Sequence, residues 1–407
     1  MSALTERPLS YLPIFWLMAA AVAAPLLAAI PSGLKVPVVV LEVLLGILVG
    51  PHILGLVQFD GFVATMFTFG MATTLFMAGM ELDFGVIKGR PLALAVGGWS
   101  ISIVLGITIV GLLYVIPQVH APLMVTLALS TTGLGVLIPI FRDEGLLERP
   151  FGRLIMAAGT LGEVGPIVAM SLFLSQLYST WQEFAFLLAL LAIVGIATAV
   201  GMSARQPRLL ASLSRHMHAS TQLPVRISLL VLTGLFVLAE RFGFESIFGA
   251  FAAGMIVGQS IGGEGGKMLR EKMDAVCFGW FFPFFFVGTG VKLNFPPLGA
   301  DLTTMLLLPI FALLFLVVRG VPVFLYRRDI ATVQQLPFAF SSAVPSLSII
   351  VVITEIGLRT KAMNPNIAPA LIGAALLSLL LFPTIAATLL SHTAAAPVPS
   401  TAAQRRK

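Results

Sequence analysis

Apolar residues run through this chain in blocks of about twenty, long enough to cross a bilayer as helices, with short polar or Gly/Pro-rich interruptions between them. This pattern predicts thirteen helical spans, at 12–31, 36–57, 62–80, 91–116, 121–141, 152–175, 181–202, 226–240, 244–260, 273–291, 302–326, 333–356 and 366–390. One long polar connection, 203–225, carries Arg205, Arg208, Arg215, His216 and His218 and separates two halves of six or seven helices each. The expected fold is an all-α polytopic membrane protein. Composition narrows the class further. Charged residues make up 10% and hydrophobic ones 58% of the 407 residues, against about 25% charged in soluble domains. Soluble enzymes, nucleic-acid-binding modules and disordered scaffolds are excluded on that ground. A single cysteine, Cys277, rules out an intrachain disulfide and a cysteine-based metal site. The first apolar run is too long for the core of a signal peptide, so an uncleaved first span is expected.

The positions of the basic residues orient the spans, because cytoplasmic loops retain Lys and Arg. With the N-terminus outside, eighteen of the twenty-four Lys and Arg fall inside, five fall outside, and Arg319 lies within a span. The opposite orientation reverses that bias. The expected location is therefore the cell (plasma or inner) membrane, N-terminus outside and C-terminus cytoplasmic. The same distribution accounts for the net charge of +6 without a nucleic-acid partner; the partner is the lipid bilayer.

An internal repeat is visible at an offset of 211 residues. Gly79-Met80-Glu81-Leu82-Asp83-Phe84 closes the third span, and Gly290-Val291-Lys292-Leu293-Asn294-Phe295 closes the tenth. The same offset sets Leu129-Ser130-Thr131-Thr132 of the fifth span against Phe340-Ser341-Ser342-Ala343 of the twelfth. By the span count the two copies of the first motif lie on opposite sides of the membrane. Inverted repeats of this kind are a mark of secondary transporters. The fifth and twelfth spans also carry hydroxyls and helix breakers mid-span: Ser130, Thr131, Thr132, Gly133, Gly135 and Pro139 in one, Ser341, Ser342, Pro345, Ser346 and Ser348 in the other. Unwound backbone at membrane depth survives only where it is buried in protein or lines a wet cavity. A matched pair of interrupted helices crossing at the midplane therefore predicts the binding site.

Three ionisable residues sit away from span ends: Glu163 in the sixth span, Arg319 in the eleventh and Glu42 in the second. Burying each costs at least about 2.5 kcal/mol, so an ion pathway or a buried pair is the default explanation. Glu163 is the leading candidate, since a carboxylate is a hard oxygen ligand for a monovalent cation and, when protonated, a proton carrier. Arg319 stays charged throughout, so its expected work is balancing charge, at the helix ends of the twelfth break or against Glu163. Glu42 reads as a packing or entrance residue close enough to the inner surface to be wet. Glu240, Asp274 and Glu355 are expected to face water, and His216 and His218 to be solvated loop residues. No cofactor and no enzymatic chemistry are expected.

The chain resembles the second cation:proton antiporter family, in its Kef-type sodium/hydrogen exchanger branch, from about residue 15 to 390. The resemblance rests on five segments in order and spacing. They are Leu41-Glu42-Val43-Leu44-Leu45-Gly46-Ile47-Leu48-Val49-Gly50-Pro51, Leu75-Phe76-Met77-Ala78-Gly79-Met80-Glu81-Leu82-Asp83, Ala128-Leu129-Ser130-Thr131-Thr132, Gly249-Ala250-Phe251-Ala252-Ala253-Gly254 and Phe282-Pro283-Phe284-Phe285-Phe286-Val287-Gly288-Thr289-Gly290. It implies a single exchanger unit of two parts. One is a panel of spans one to three and eight to ten, through which a homodimer forms; the other is an ion-binding core of spans four to six and eleven to thirteen. Relatives carry an Asn-Asp, Asp-Asp or Gln-Asp pair in the sixth span, whereas this chain reads Gly162-Glu163 there. The nucleotide-binding regulatory domain of some relatives is expected to be absent.

These readings converge on exchange of a monovalent cation, sodium or potassium, for protons, with one carboxylate and hence an electroneutral cycle. Glu163, Gly162, Thr131, Thr132 and Ser130 are the expected proton and cation site, with Arg319, Ser341, Ser342 and Ser346 completing it from the other interrupted helix. Two other readings stay open on the sequence alone: a sodium-coupled symporter of an organic anion, and a non-transporting sensor with an antiporter-like body. The spacing of Gly249, Ala253 and Gly254 permits close helix packing and is expected to serve the dimer.

Overall fold

A chain this apolar can satisfy its backbone within a bilayer only by folding into helices or a closed barrel, and every regular element among the described residues is helical. The computed structural model describes residues 11–30, 36–81, 89–113, 122–143, 146, 149–173, 221–242, 246–260, 263–293 and 302–394. In chain order these form α1 Leu12–Ala28, α2 Val38–Val49, α3 Gly61–Glu81, α4 Arg90–Leu113, α5 Pro122–Leu129, α6 Leu134–Asp143, α7 Pro150–Phe173 and α8 Leu223–Arg241. They continue as α9 Ser246–Ser260, α10 Gly263–Val276, a π-helical turn Cys277–Phe281, α11 Phe282–Lys292 and α12 Leu302–Gly320. A 3₁₀ segment Val321–Tyr326, α13 Thr332–Ser342, α14 Leu347–Arg359 and α15 Ile367–Ala394 close the chain. Seven continuous helical stretches among the described residues are long and apolar enough to cross a membrane, one running from α10 through the π turn into α11 and one from α12 into the 3₁₀ segment, and α13 with α14 makes an eighth if taken as one bent span. The seventh predicted span, most of the 203–225 connection with its histidines, and the motif ends Leu82–Phe84 and Asn294–Phe295 lie outside the described residues.

Proline sets several of the boundaries. The second span was expected to reach residue 57, yet α2 stops at Val49 because Gly50 precedes Pro51 and takes an extended conformation, φ −68°, ψ 175°. The freed carbonyls of Leu48 and Val49 then accept from the amides of Leu54 and Val57, at 3.1 and 2.9 Å. In the tenth span Pro283 has no amide to donate, and just before it the ladder widens, with the Phe282 amide bonding the Cys277 carbonyl five residues back.

The chain divides into two compact units. The first comprises 1–84, 166–302 and 351–356; the second comprises 85–165, 303–350 and 357–407. In the first unit α3 packs along α9, α9 along α8, and α2 along α1 and α11. Glycine lets these backbones approach. A Cβ on Gly254 would overlap the Phe76 carbonyl oxygen, and one on Gly79 would overlap that of Phe251. Gly249 likewise abuts the Leu235 carbonyl of α8. The Gly249/Ala253/Gly254 spacing therefore serves packing inside the chain, not the subunit interface expected from the sequence. Helix α9 is buried on all sides, from Ile247 to Met255, and has no free face to offer. Gly254→Leu is expected to cost at least about 1–3 kcal/mol by forcing α3 and α9 apart. The check is the melting temperature of detergent-solubilised protein beside Gly234→Leu, whose Cβ would meet nothing within 4 Å.

In the second unit α4 packs on α5 and on the 3₁₀ segment, and α13 on α15. Arg90 at the start of α4 grips Asp329 with two parallel bonds, Nε to Oδ1 at 2.5 Å and Nη2 to Oδ2 at 2.9 Å. The hydrogen bonds from Arg90 hold the Asp329 carboxyl below the usual carboxylate range. This tie is thus fully present above the ordinary aspartate pKa and is lost as pH falls through the lowered one.

Candidate functional site

The site is built around two breaks in the second unit. Helix α5 stops at Leu129 and α6 restarts at Leu134; α13 stops at Ser342 and α14 restarts at Leu347, with a bend of 42° across the second gap. The unwound residues satisfy much of each other's backbone. The Gly133 amide donates to the Val344 carbonyl at 2.8 Å, and the Ser346 amide to Thr131 Oγ1 at 3.3 Å. Thr132 Oγ1 donates to the Ser342 carbonyl at 2.6 Å, and the Thr132 amide to the Gly162 carbonyl of α7 at 3.1 Å. Gly133 has to be glycine, since a Cβ there would press on the Pro345 carbonyl at 2.7 Å.

Each break leaves helix termini that attract charge. Glu163, 7% exposed, accepts the Leu134 amide on Oε1 at 3.0 Å, so a carboxylate meets the amino-terminal end of α6. Arg319, 4% exposed, donates from Nε to Thr132 Oγ1 at 2.9 Å, from Nη1 to Ser102 Oγ at 3.4 Å and from Nη2 to the Ala158 carbonyl at 2.9 Å. Thr132 donates its own hydroxyl hydrogen bond to Ser342 O, at the carboxyl-terminal end of α13. The guanidinium thereby reaches that helix end through a hydroxyl. Of the two expected tasks for Arg319, the helix-end one is what its hydrogen bonds serve; its acceptors are neutral oxygens.

Gly162 contributes space and no side-chain ligand. A Cβ there would lie 2.7 Å from both Cβ and Oγ1 of Thr132 and 2.9 Å from Arg319 Nη2. Its carbonyl is taken by the Thr132 amide. The hydroxyls differ in what they have left. Ser130 Oγ donates to Leu127 O and Thr131 Oγ1 to Ala128 O, while Ser342 Oγ donates to Arg319 O and Ala339 O. Ser341 Oγ is buried without a hydrogen bond among the described residues.

Glu42 lies elsewhere, in the first unit, and at 7% exposure it is not the wet residue expected from its position near a span end. Packing of α2 between α1 and α11 covers it. Glu355 is half-buried and ion-paired with Lys292, its side chain still partly exposed, and Asp274 is also half-buried; Glu240 is exposed as expected. Sequence reasoning missed Ser102, the Ala158 carbonyl, the Leu134 amide and Trp99, whose ring fills the space a Cβ on Gly165 would need. Ser102 is a hydroxyl inside an apolar span, but nothing in its spacing links it to an arginine 217 residues away.

Residues 18–392 match the family described as sodium/hydrogen exchanger, transmembrane. The chain belongs to that family. This exchanger-family chain is 27% identical over 368 residues to YjbQ of Bacillus subtilis, a match that covers 86% of this chain but only 58% of YjbQ. It is 24% identical over 289 residues to the Na(+)/H(+)-K(+) antiporter GerN of Bacillus cereus, covering 68% of this chain and 71% of GerN. Its fold is similar to that of the sodium proton antiporter MjNhaP1 from Methanocaldococcus jannaschii, with TM-score 0.62 at 20% identity, covering 94% of this chain and 96% of that one. The second unit thus holds the Glu163 carboxylate at one helix start and a guanidinium linked to a helix end.

Proposed function

We propose that this chain is a secondary transporter that exchanges a monovalent cation, sodium or potassium, for protons, with Glu163 as the shared binding group. The observation that carries this reading is the Glu163 carboxylate, buried where α6 restarts, on the Leu134 amide next to the paired breaks. A carboxylate there takes either a proton or a small cation. Thr131, Ser346 and Ser341, all at the two breaks, are the hydroxyls we assign to complete a cation's shell, Ser341 most readily because its oxygen has no hydrogen bond among the described residues. The Na(+)/H(+)-K(+) antiport of GerN favours exchange over organic-anion symport. Reconstituted protein is expected to dequench an internal pH dye when sodium or potassium is added outside proteoliposomes. Dye that stays quenched with sodium, potassium and lithium alike would remove the proposal.

One titrating carboxylate in the site makes the cycle electroneutral. The site crosses with the same net charge whether Glu163 carries a proton or a cation, because Arg319 stays positive. A net moving charge would be worth about 2.3 kcal/mol per 100 mV. Sodium-driven flux is therefore expected to be unchanged under an imposed potassium–valinomycin potential. A strong voltage dependence would point to a second titrating group and overturn the one-carboxylate cycle.

The proposal extends to architecture: thirteen spans with the N-terminus outside the cell membrane, inverted halves, and α5–α6 crossing α13–α14 at the midplane. The reciprocal hydrogen bonds between the breaks support the crossing. The division into panel and core is supported by the two contact units. A homodimer through the panel is part of the same reading. Mass photometry in detergent and in lipid is expected to give twice the chain mass, and a monomer in both would count against it.

A further inference from the structure

At the end of α11 the Lys292 ammonium lies 4.8 Å from the Phe59 ring centroid and 5.2 Å from that of Phe67, and donates to Glu355 Oε2. The two rings stand 5.3 Å apart with planes 76° to one another, forming two walls of a corner. Phe285 backs Phe67 at 5.4 Å. Gly288, one turn before Lys292, leaves room for the corner, since a Cβ there would come within 3.0 Å of the Phe67 ring. The side chains of Lys292 and Glu355 are 30% and 27% exposed while Phe67 is buried, so the corner is reached from its Lys292–Glu355 side.

Two aromatic faces and a carboxylate converging on one point have the chemistry that binds a weakly hydrated cation. We propose that Phe59, Phe67 and Glu355 form a cage for a monovalent cation, with the Lys292 ammonium as its tethered, displaceable occupant. The preferred ligands are alkylammonium ions and the larger alkali cations, whose hydration shells are easily shed; lithium is disfavoured. The tether gives Lys292 a high effective concentration, so a free cation enters only at high concentration. The cage lies in the first unit and shares no residue with the Glu163 site. It therefore stands or falls independently of the exchange reading.

The first arm of the test needs no substitution. Detergent-solubilised wild-type protein is acetylated with acetic anhydride in lithium chloride or in tetramethylammonium chloride at equal ionic strength, and labelling of each lysine is read by peptide mass spectrometry. Lys292 labelling is expected to rise severalfold and saturably with tetramethylammonium, while exposed Lys361 stays constant as the reference. Equal Lys292 rates in the two salts would overturn the proposal. So would a tetramethylammonium effect that persists in the double variant Phe59→Ala/Glu355→Gln. Vacating the cage with Lys292→Met, in a Glu163→Gln background that silences the transport site, is expected to lower the tetramethylammonium concentration for half-maximal thermal stabilisation by at least about tenfold. An unchanged midpoint would also sink the idea.

Discussion

Glu163→Gln is expected to abolish cation-driven proton flux, by at least about a hundredfold, the scale seen when a group that must carry a proton is removed. The substitution keeps the size of the side chain. Its amide oxygen can still accept the Leu134 amide that Glu163 Oε1 now takes at 3.0 Å, so folding should survive. What is lost is the exchangeable proton and the negative charge that holds a cation. Glu163→Asp keeps both but draws the carboxylate back by one methylene, and is expected to retain reduced flux with weaker cation affinity. Dye dequenching in proteoliposomes, with the melting temperature as the folding control, separates these outcomes. Full flux in Glu163→Gln would remove the central claim.

Arg319→Met is expected to lose both exchange and stability. The guanidinium satisfies Thr132, Ser102 and the Ala158 carbonyl in a site only 4% exposed. Hydrogen bonds from a charged donor are worth about 1.5–3 kcal/mol each, and a buried acceptor left empty adds its desolvation cost. Arg319→Lys keeps the charge but lacks the planar fork that reaches three acceptors at once, so a partial loss is expected. The relay through Thr132 adds a sharper test. Because Thr132 accepts from Arg319 and donates to Ser342 O, the stability losses of Arg319→Met and Thr132→Val should fall short of additive in the double variant. Strict additivity, measured by thermal melting, would mean that the hydroxyl does not couple the arginine to the helix end.

The membrane class, the helical blocks, both interrupted spans and the buried acid were legible in the sequence, because each is a local property. Bilayer depth demands a run of apolar residues, and Pro and Gly stop a helix wherever they fall. Glu163 stood out since an isolated acid in an apolar block has few bland explanations. The sequence also marked Gly162 as a departure from its relatives, but only the tertiary structure gives the reason. Thr132 and the guanidinium of Arg319 occupy the space a side chain would need, one arriving from the α5–α6 break and the other from α12. Gly249 and Gly254 were legible as close-packing residues but not as to their partners. Those turned out to be α8 and α3 of the same chain, because small residues state that a backbone approaches without stating which one. Ser102, the Leu134 amide and the Lys292–Glu355 pair were invisible for the same reason. Hydrogen bonds between residues 29, 63 or 217 positions apart depend on how helices pack, and packing is decided by the whole chain at once.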